Sequence, residues 1–422
     1  MPTTAITSGG MQILVEALPH THSISIGCFM GVGARHEPTE MSGVSHFIEH
    51  MCFKGSKSLP TARQISQAIE GVGGILNAST AYESTVYWGK VADIHFDRAI
   101  HVLTDMLRYP LFEARELEKE RRVIIEEIRG SQDSPSDWVH ELLQAALWGN
   151  QPLGRDIAGS VESVSALTRG DLVDFWRKNY GVESMVVSVA GNVDTQQIID
   201  AVSRHFEGFL LQQPSAVIPS QPPLPGPQLH LLSRESEQGH FCMGFPSLSY
   251  NDADRRALQV LDTVLGGGMS SRLFQEVREE RGLAYDIGSY HSEVADAGMW
   301  AIYGSVEPAM LRDTLTTTME ILHDLIAHGV TPAELTLVKE QVKGGILLSL
   351  EDTWAVASRN GSHQLRYKNV IPVEQVVAEV EAVTADDILR VAQRILRNDA
   401  LHLTVIGPYS KADERDLRGL IA

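Results

Sequence analysis

Hydrophobic residues recur along the chain with two different periods. Amphipathic helices are predicted where apolar residues return at intervals of three and four, as do Val44, Phe47, Ile48 and Met51. Between such stretches lie short runs rich in β-branched and aromatic residues, which are typical of strands. Helices and strands interspersed in this way indicate an α+β protein.

The same order of predicted elements occurs twice. Each half has a strand, a helix, a glycine-rich break, a second strand, further helical sequence and a last strand that ends in glycine. The corresponding strands are 23–31 and 240–246, 84–91 and 299–306, and 185–191 and 401–407. The predicted fold class is therefore α+β with two homologous domains, each a mainly antiparallel sheet packed with helices.

A proline-rich stretch separates the two halves. Between residues 212 and 228 lie Pro214, Pro219, Pro222, Pro223, Pro225 and Pro227. Proline lacks a backbone donor, so a regular helix or central strand is excluded there. We predict an N-terminal domain over 1–211, a linker over 212–228 and a C-terminal domain over 229–422.

The first helix carries the clearest candidate chemistry. His46, Glu49 and His50 are three and four residues apart, so they converge on the side opposite the apolar stripe. Ser42 is suited to cap the start of this helix, and Gly55 to end it. Two imidazoles and a carboxylate in one small volume are what a hydrolytic zinc site needs.

A catalytic zinc usually has three protein ligands, so another residue must complete the site. Candidates lie in the acidic helical stretch 113–130, whose core-facing stripe is Leu117, Ile124 and Ile128. Glu120 and Glu127 lie together at the edge of that stripe, whereas Glu126 projects to the far side. Glu127 is therefore predicted as the third ligand, with Glu120 behind it.

Composition narrows the class of protein. A hydrophobic content of 43% with 21% charged residues is ordinary for a folded chain, and the net charge of −19 argues against a nucleic-acid or anionic-membrane surface. Three distant cysteines indicate neither a disulfide framework nor a thiolate zinc site, and they fit a reducing compartment. With neither a signal peptide nor a membrane-length apolar run, a cytoplasmic location is expected.

Several motifs together resemble the pitrilysin-like zinc metallopeptidases, in particular the branch of mitochondrial processing peptidase and its bacterial relatives. The chain has the inverted motif H-x-x-E-H at 46–50, the Glu120 and Glu127 pair, an N-A-S-T segment at 77–80, and Arg278 close to Tyr285. The two-half layout with a proline-rich linker also matches. In the second half, the corresponding helix at 252–265 lacks the metal motif.

The resemblance implies one Zn²⁺ per chain and a reaction in which metal-activated water cleaves peptide bonds. It assigns His46, His50 and Glu127 as zinc ligands, and Glu49 and Glu120 as catalytic carboxylates, with Glu49 the general base. Substrate-binding residues are then Asn77, Ala78, Ser79 and Thr80 on an edge strand, together with Arg278 and Tyr285. The substrates expected are short or unstructured peptides, cleaved in a chamber lined by both halves of a chain that forms a homodimer.

Two other functional hypotheses compete with that of a peptidase. Core subunits of respiratory complexes resemble this fold without an intact metal motif, so a non-catalytic scaffold or peptide-binding role is one alternative. A metal hydrolase acting on a non-peptide bond is another. The presence of His46, Glu49, His50 and Glu127 together favours the peptidase.

Overall fold

The structure, a computed structural model, describes residues 1–7, 9–209 and 214–421. The strands are β1 (Thr3–Ile6), β2 (Gln12–Ala17), β3 (Ser23–Met30), β4 (Ile75–Thr80), β5 (Thr85–Ala92), β6 (Met185–Gly191), β7 (Gln228–Ser233), β8 (Gly239–Ser247), β9 (Asp286–Glu293), β10 (Gly298–Val306) and β11 (His402–Gly407).

The α-helices are α1 (Val44–Cys52), α2 (Ala62–Glu70), α3 (Phe96–Arg108), α4 (Ala114–Asp133), α5 (Pro135–Trp148), α6 (Val161–Ala166), α7 (Arg169–Asn179), α8 (Thr195–Phe206), α9 (Arg255–Gly266), α10 (Leu311–His328), α11 (Pro332–Ser349), α12 (Thr353–Tyr367), α13 (Val373–Ala382), α14 (Ala385–Ile395) and α15 (Lys411–Ile421). A π-helical segment, Phe274–Glu280, follows α9.

The chain forms two compact units. Unit 1 consists of Met1–Ile128, Asp156–Ile218 and Leu347–Pro372. Unit 2 consists of Arg129–Arg155, Pro219–Ile346 and Val373–Ala422.

The sheets of the two units have one topology. The described residues of unit 1 form a sheet in the order β1-β2-β6-β3-β5-β4, and those of unit 2 form one in the order β7-β11-β8-β10-β9. Neighbouring strands are antiparallel apart from β2 with β6 and β7 with β11. Without β1 the two orders match strand for strand, so the predicted fold class of two homologous α+β domains is confirmed.

In unit 1, a helix from late in the sequence packs on the sheet. Helix α12 lies against β3 and β6. The hydroxyl of Thr353 is 2.9 Å from that of Ser25, and the ring of Trp354 stacks on Phe29. Gly361 makes room for this packing, because a Cβ there would lie 2.2 Å from the Phe29 ring.

In unit 2, a helix from early in the sequence plays the same part. Helix α5 lies against β8 and β11, where Thr404 donates a hydrogen bond to the Val139 carbonyl at 3.1 Å. A Cβ at Gly244 would come within 2.7 Å of Leu143, so glycine again permits the close approach. Each sheet is thus covered by a helix that the other half of the sequence supplies.

The predicted boundaries follow sequence order, whereas the compact units exchange segments. Residues 129–155 belong to unit 2 and residues 347–372 to unit 1, although they lie on the opposite sides of the predicted linker. Of that linker, residues 212–213 lie outside the described part, and 214–227 form neither helix nor strand. The order of helices and strands along the sequence does not predict that the two units exchange these segments.

Among the residues that the structure describes, no helix combines the length and apolar character needed to cross a membrane.

Candidate metal centre

Helix α1 carries the metal motif on one face and buries its opposite face. The side chains of Val44, Phe47, Ile48 and Met51 are at most 1% exposed, which confirms the predicted apolar face. That face fixes the helix in the core of unit 1. The motif therefore stands on a rigid element, as a preorganised site requires.

The start of α1 differs from the prediction. Ser42 does not cap the helix, since Gly43 stands at the cap position with a φ of +91° that favours glycine. The carboxylate of Glu37 replaces the cap: it accepts hydrogen bonds from the backbone N–H groups of Gly43 and Ser45, both at 2.8 Å. Glu37 is 1% exposed, so a buried carboxyl group holds the first turn of the helix, close to His46 in the sequence.

Three side chains converge at the polar face of α1. Ligand atoms of His46, His50 and Glu127 all lie within 4.8 Å of one another. The Nε2 atom of His50 is 3.5 Å from Oε2 of Glu127, and the two imidazole rings are 4.6 Å apart. Glu127 comes from α4, so the structure brings together the three residues that the sequence predicted as ligands.

The protonation state of His46 suits a bound cation. Burial, with a smaller contribution from His50, lowers the pKa of His46 to about 4, so its ring is neutral near pH 7. The neutral imidazole is the form that binds a metal ion.

The polar groups around the cluster also fit a divalent ion. His50 has its Nδ1 atom 3.1 Å from the carboxylate of Glu120, which leaves Nε2 available on the side of Glu127. The Nδ1 atom of His46 is buried and, within the described residues, has no hydrogen-bond partner. Two nitrogens and one carboxylate oxygen form the donor set of a hydrolytic zinc site.

Glu49 stands beside the cluster without belonging to it. Its carboxylate accepts a short hydrogen bond from the Thr80 hydroxyl. Burial raises the pKa of Glu49 above its usual value, and the bond from Thr80 opposes that shift. A carboxylate of raised pKa next to a metal site is suited to accept and release a proton.

Glu120 lies on the Nδ1 side of His50, one layer behind the ligand atoms. Its Oε2 atom contacts His50, and its Oε1 atom is 2.8 Å from Nζ of Lys54. Burial alone would raise the pKa of this carboxyl, but the hydrogen bonds to His50 and Lys54 lower it. The charged form of Glu120 is therefore the one that faces the imidazole.

The predicted substrate segment is an edge strand. Asn77, Ala78, Ser79 and Thr80 lie on β4, the last strand of the unit 1 sheet. Asn77 and Ser79 are exposed, whereas Ala78 and Thr80 are partly buried and face the α1 side where Thr80 meets Glu49. The outer edge of β4 is a place where an extended chain could pair.

Arg278 and Tyr285 lie together in unit 2. The Arg278 guanidinium lies over two aromatic rings, 4.8 Å from the centre of Phe274 and 5.7 Å from that of Tyr285. Both residues line a groove of about 470 Å³ in that unit, and Tyr285 is 73% exposed. Arg278 belongs to the π-helical segment, a feature often found at functional sites.

Sequence reasoning missed two residues of the centre. Glu37 lies in an irregular stretch before α1, and no sequence pattern marks it as a cap. Lys54 follows His50 by four residues but lies in the turn beyond α1, so helical spacing does not mark its partner. Thr80 was predicted as a substrate residue, but its contact with Glu49 was not.

Comparison with known proteins shows the family to which the chain belongs. The profile of insulinase (peptidase family M16) matches residues 12–161, and that of the peptidase M16 inactive domain matches residues 166–342. The second description fits the half without the H-x-x-E-H motif. The chain belongs to peptidase family M16, so the resemblance to the pitrilysin-like peptidases is confirmed.

Relatives extend over nearly the whole chain. An uncharacterized zinc protease of Streptomyces coelicolor is 38% identical, with 98% of this chain and 91% of the relative covered. The uncharacterized zinc protease YmxG of Bacillus subtilis is also 38% identical, with 94% and 96% covered.

Solved structures share the fold. A protease from Helicobacter pylori superposes with a TM-score of 0.90 at 21% identity, over 97% of this chain and 99% of the other. A peptidase M16 inactive domain from Pseudomonas fluorescens gives 0.88 at 18% identity, over 97% and 98%.

Proposed function

We propose that this protein is a zinc-dependent endopeptidase that cleaves short or unstructured peptides. The observation that carries the proposal is the position of Glu49, a partly buried carboxylate beside the cluster of His46, His50 and Glu127 and not among its ligands. A scaffold protein has no need of a base placed in this way. The names of the zinc protease relatives support the same activity.

The residues of the site divide into those that would hold the metal ion and those that transfer or position a proton. His46, His50 and Glu127 would hold one Zn²⁺ per chain, which when bound acts as a Lewis acid and lowers the pKa of water. Glu49 takes the proton from the attacking water and delivers it to the leaving amine. Glu120 keeps His50 in the tautomer that presents Nε2, as carboxylates behind metal-binding histidines do.

Substrate is proposed to bind by strand addition. An extended peptide pairs with the outer edge of β4, over Asn77 to Thr80, through main-chain hydrogen bonds that tolerate many sequences. A folded protein cannot offer a free strand, so short or unstructured peptides are preferred. Arg278 and Tyr285, a cation and a phenol, are suited to grip the peptide near the cleaved bond and to stabilise its oxyanion.

Within the family, we propose that the protein belongs to the processing-peptidase branch and that two copies of the chain form a homodimer. Support comes from relatives that match this chain almost end to end, so a two-domain chain is their common length. Size-exclusion chromatography with light scattering should then give twice the chain mass of 46.4 kDa.

The test uses an unstructured peptide mixture, the zinc-loaded protein and a chelator control. Glu49→Gln should lower kcat by about 1000-fold, the range for loss of a general base, while bound zinc measured by atomic emission stays at one per chain. Glu127→Gln should lose the zinc. Glu126→Gln, exposed on the same helix, is the matched control and should behave as wild type.

Other outcomes separate the competing functions. Cleavage retained by Glu49→Gln would eliminate the assigned base. Zinc bound by the wild type without any peptide cleavage would favour a scaffold or peptide-binding role.

A further inference from the structure

We propose that Lys54 is a positioning residue that tunes the affinity of the metal centre through Glu120 and His50. This inference rests on the proposed metal site, although its test does not depend on peptidase activity. The observation behind it is a chain of two contacts that joins three residues: Lys54 Nζ is 2.8 Å from Glu120 Oε1, and Glu120 Oε2 is 3.1 Å from His50 Nδ1.

The contacts divide the two oxygens of Glu120 between two partners. The carboxylate is almost fully enclosed, with 7% of its side chain exposed, and a buried anion needs a compensating group. Lys54 supplies that charge from a side chain that is 26% exposed. With Lys54 holding Oε1, Glu120 keeps its second oxygen directed at the imidazole of His50.

A charged acceptor on Nδ1 changes what the opposite nitrogen can do. When a carboxylate accepts the Nδ1 hydrogen bond, it fixes the ring orientation and makes Nε2 a better electron donor to a metal ion. Nε2 of His50 is the atom that faces Glu127. The ammonium of Lys54 therefore acts on the metal ligand indirectly, although its own charge repels a cation.

The backbone holds Lys54 in the position that this role requires. Lys54 is in the turn that ends α1, where its N–H donates to the Met51 carbonyl at 3.1 Å. Gly55 follows with a φ of +140°, and a Cβ there would lie 2.6 Å from the Pro60 carbonyl oxygen. Since the turn is fixed by this glycine, the lysine side chain is directed back toward α4 and Glu120.

Two effects of Lys54 on the metal have opposite signs, and this makes the proposal testable. A purely electrostatic role predicts that removing the ammonium strengthens Zn²⁺ binding, because a repelling charge is lost. A positioning role predicts the reverse, because Glu120 is left without its partner and His50 loses its fixed acceptor.

The experiment measures the Zn²⁺ dissociation constant of the full chain by competition with a chromophoric chelator. Lys54→Met should weaken binding about tenfold, the lower end for residues behind a metal ligand, and Lys54→Arg should restore it to within about threefold. Lys57→Met is the matched control, since Lys57 is an exposed lysine three residues further on, and it should leave the constant unchanged.

A double-mutant cycle tests the route through Glu120. In a Glu120→Gln background, Lys54→Met should have little further effect on zinc affinity. If Lys54→Met weakens binding equally in the wild-type and the Glu120→Gln backgrounds, Lys54 acts independently of Glu120, and the proposal is overturned.

Affinity of Lys54→Met equal to or tighter than wild type would also overturn it. If Lys54→Met does not fold, Lys54→Gln is measured instead, and it should bind Zn²⁺ several-fold more weakly than wild type. A Zn²⁺ dissociation constant equal to that of wild type would then overturn the proposal. A wild-type chain that binds no zinc would instead refute the proposed function itself.

Discussion

At the scale of single residues, Thr80 connects the edge strand to the proposed base. Its backbone ends β4, and its hydroxyl donates to Glu49. The side chain that orients the base is thus carried by the strand on which substrate is proposed to pair. A change at this position should affect the chemical step more than binding of the metal.

Thr80→Val keeps the shape of the side chain and removes the donor. Because a hydrogen bond to a charged group is worth roughly 1.5–3 kcal/mol, we expect kcat to fall by about 10-fold to 100-fold with KM little changed. Thr80→Ser retains the hydroxyl and should keep most of the activity. Steady-state kinetics on a fluorogenic peptide and zinc content measure these effects. Loss of zinc in Thr80→Val, or an unchanged kcat, would contradict this role.

Glu37 is the second residue whose role emerges from contacts. Glu37→Ala leaves two backbone N–H groups at the start of α1 without their acceptor, and should lower the free energy of unfolding by roughly 2–4 kcal/mol. Urea denaturation followed by circular dichroism measures this change. Glu40→Ala is the control, because Glu40 is exposed a few residues later. Equal stability of the two variants would show that Glu37 does not hold the helix.

The sequence predicted those residues of the candidate site whose positions follow from helical periodicity. The 3.6-residue period places His46, Glu49 and His50 on one face, and the stripe of α4 selects Glu127, which the structure brings to the two histidines. Glu37 and Lys54 have no such signal, because their partners depend on how an irregular segment and a turn are folded.

At the scale of elements, strand and helix order could largely be predicted, and β6 has the predicted bounds Met185–Gly191. The exchange of α5 and α12 could not. Both helices have an apolar side, but an apolar stripe does not specify which of two similar sheets will bury it. The choice is made by details such as Gly244 against Leu143 and Gly361 against Phe29.

Two helical glycines provide a matched test of that packing. Gly361→Ala places a methyl group 2.2 Å from the buried Phe29 ring and should destabilise the protein by roughly 1–3 kcal/mol, despite the higher helix propensity of alanine. Gly344→Ala in α11 meets nothing within 4 Å and should stabilise by roughly 0.5–1 kcal/mol. Urea midpoints of the two variants should move in opposite directions. A shift of the same sign in both would contradict the packing role of Gly361.

At the scale of the whole molecule, the balance of charge bears on substrate choice. The net charge of −19 should attract peptides with arginine or lysine near the cleaved bond. We expect kcat/KM for a basic peptide to exceed that for its acidic counterpart at low salt, and the ratio to shrink as salt screens the attraction. Paired peptides of equal length, compared at two ionic strengths, measure it. Equal turnover at low salt would refute this preference.

The exchanged helices have a consequence for how the protein is made. The contact between Ser25 and Thr353 joins residues 328 positions apart. At about 5–20 residues per second, a ribosome needs roughly 15–65 s to synthesise the intervening chain. Throughout that interval strand β3 lacks the helix that will cover it, and β6, once made, waits for the same helix. The protein therefore cannot mature one domain at a time, and its emerging chain presents apolar surface that chaperones or aggregation could capture before translation ends.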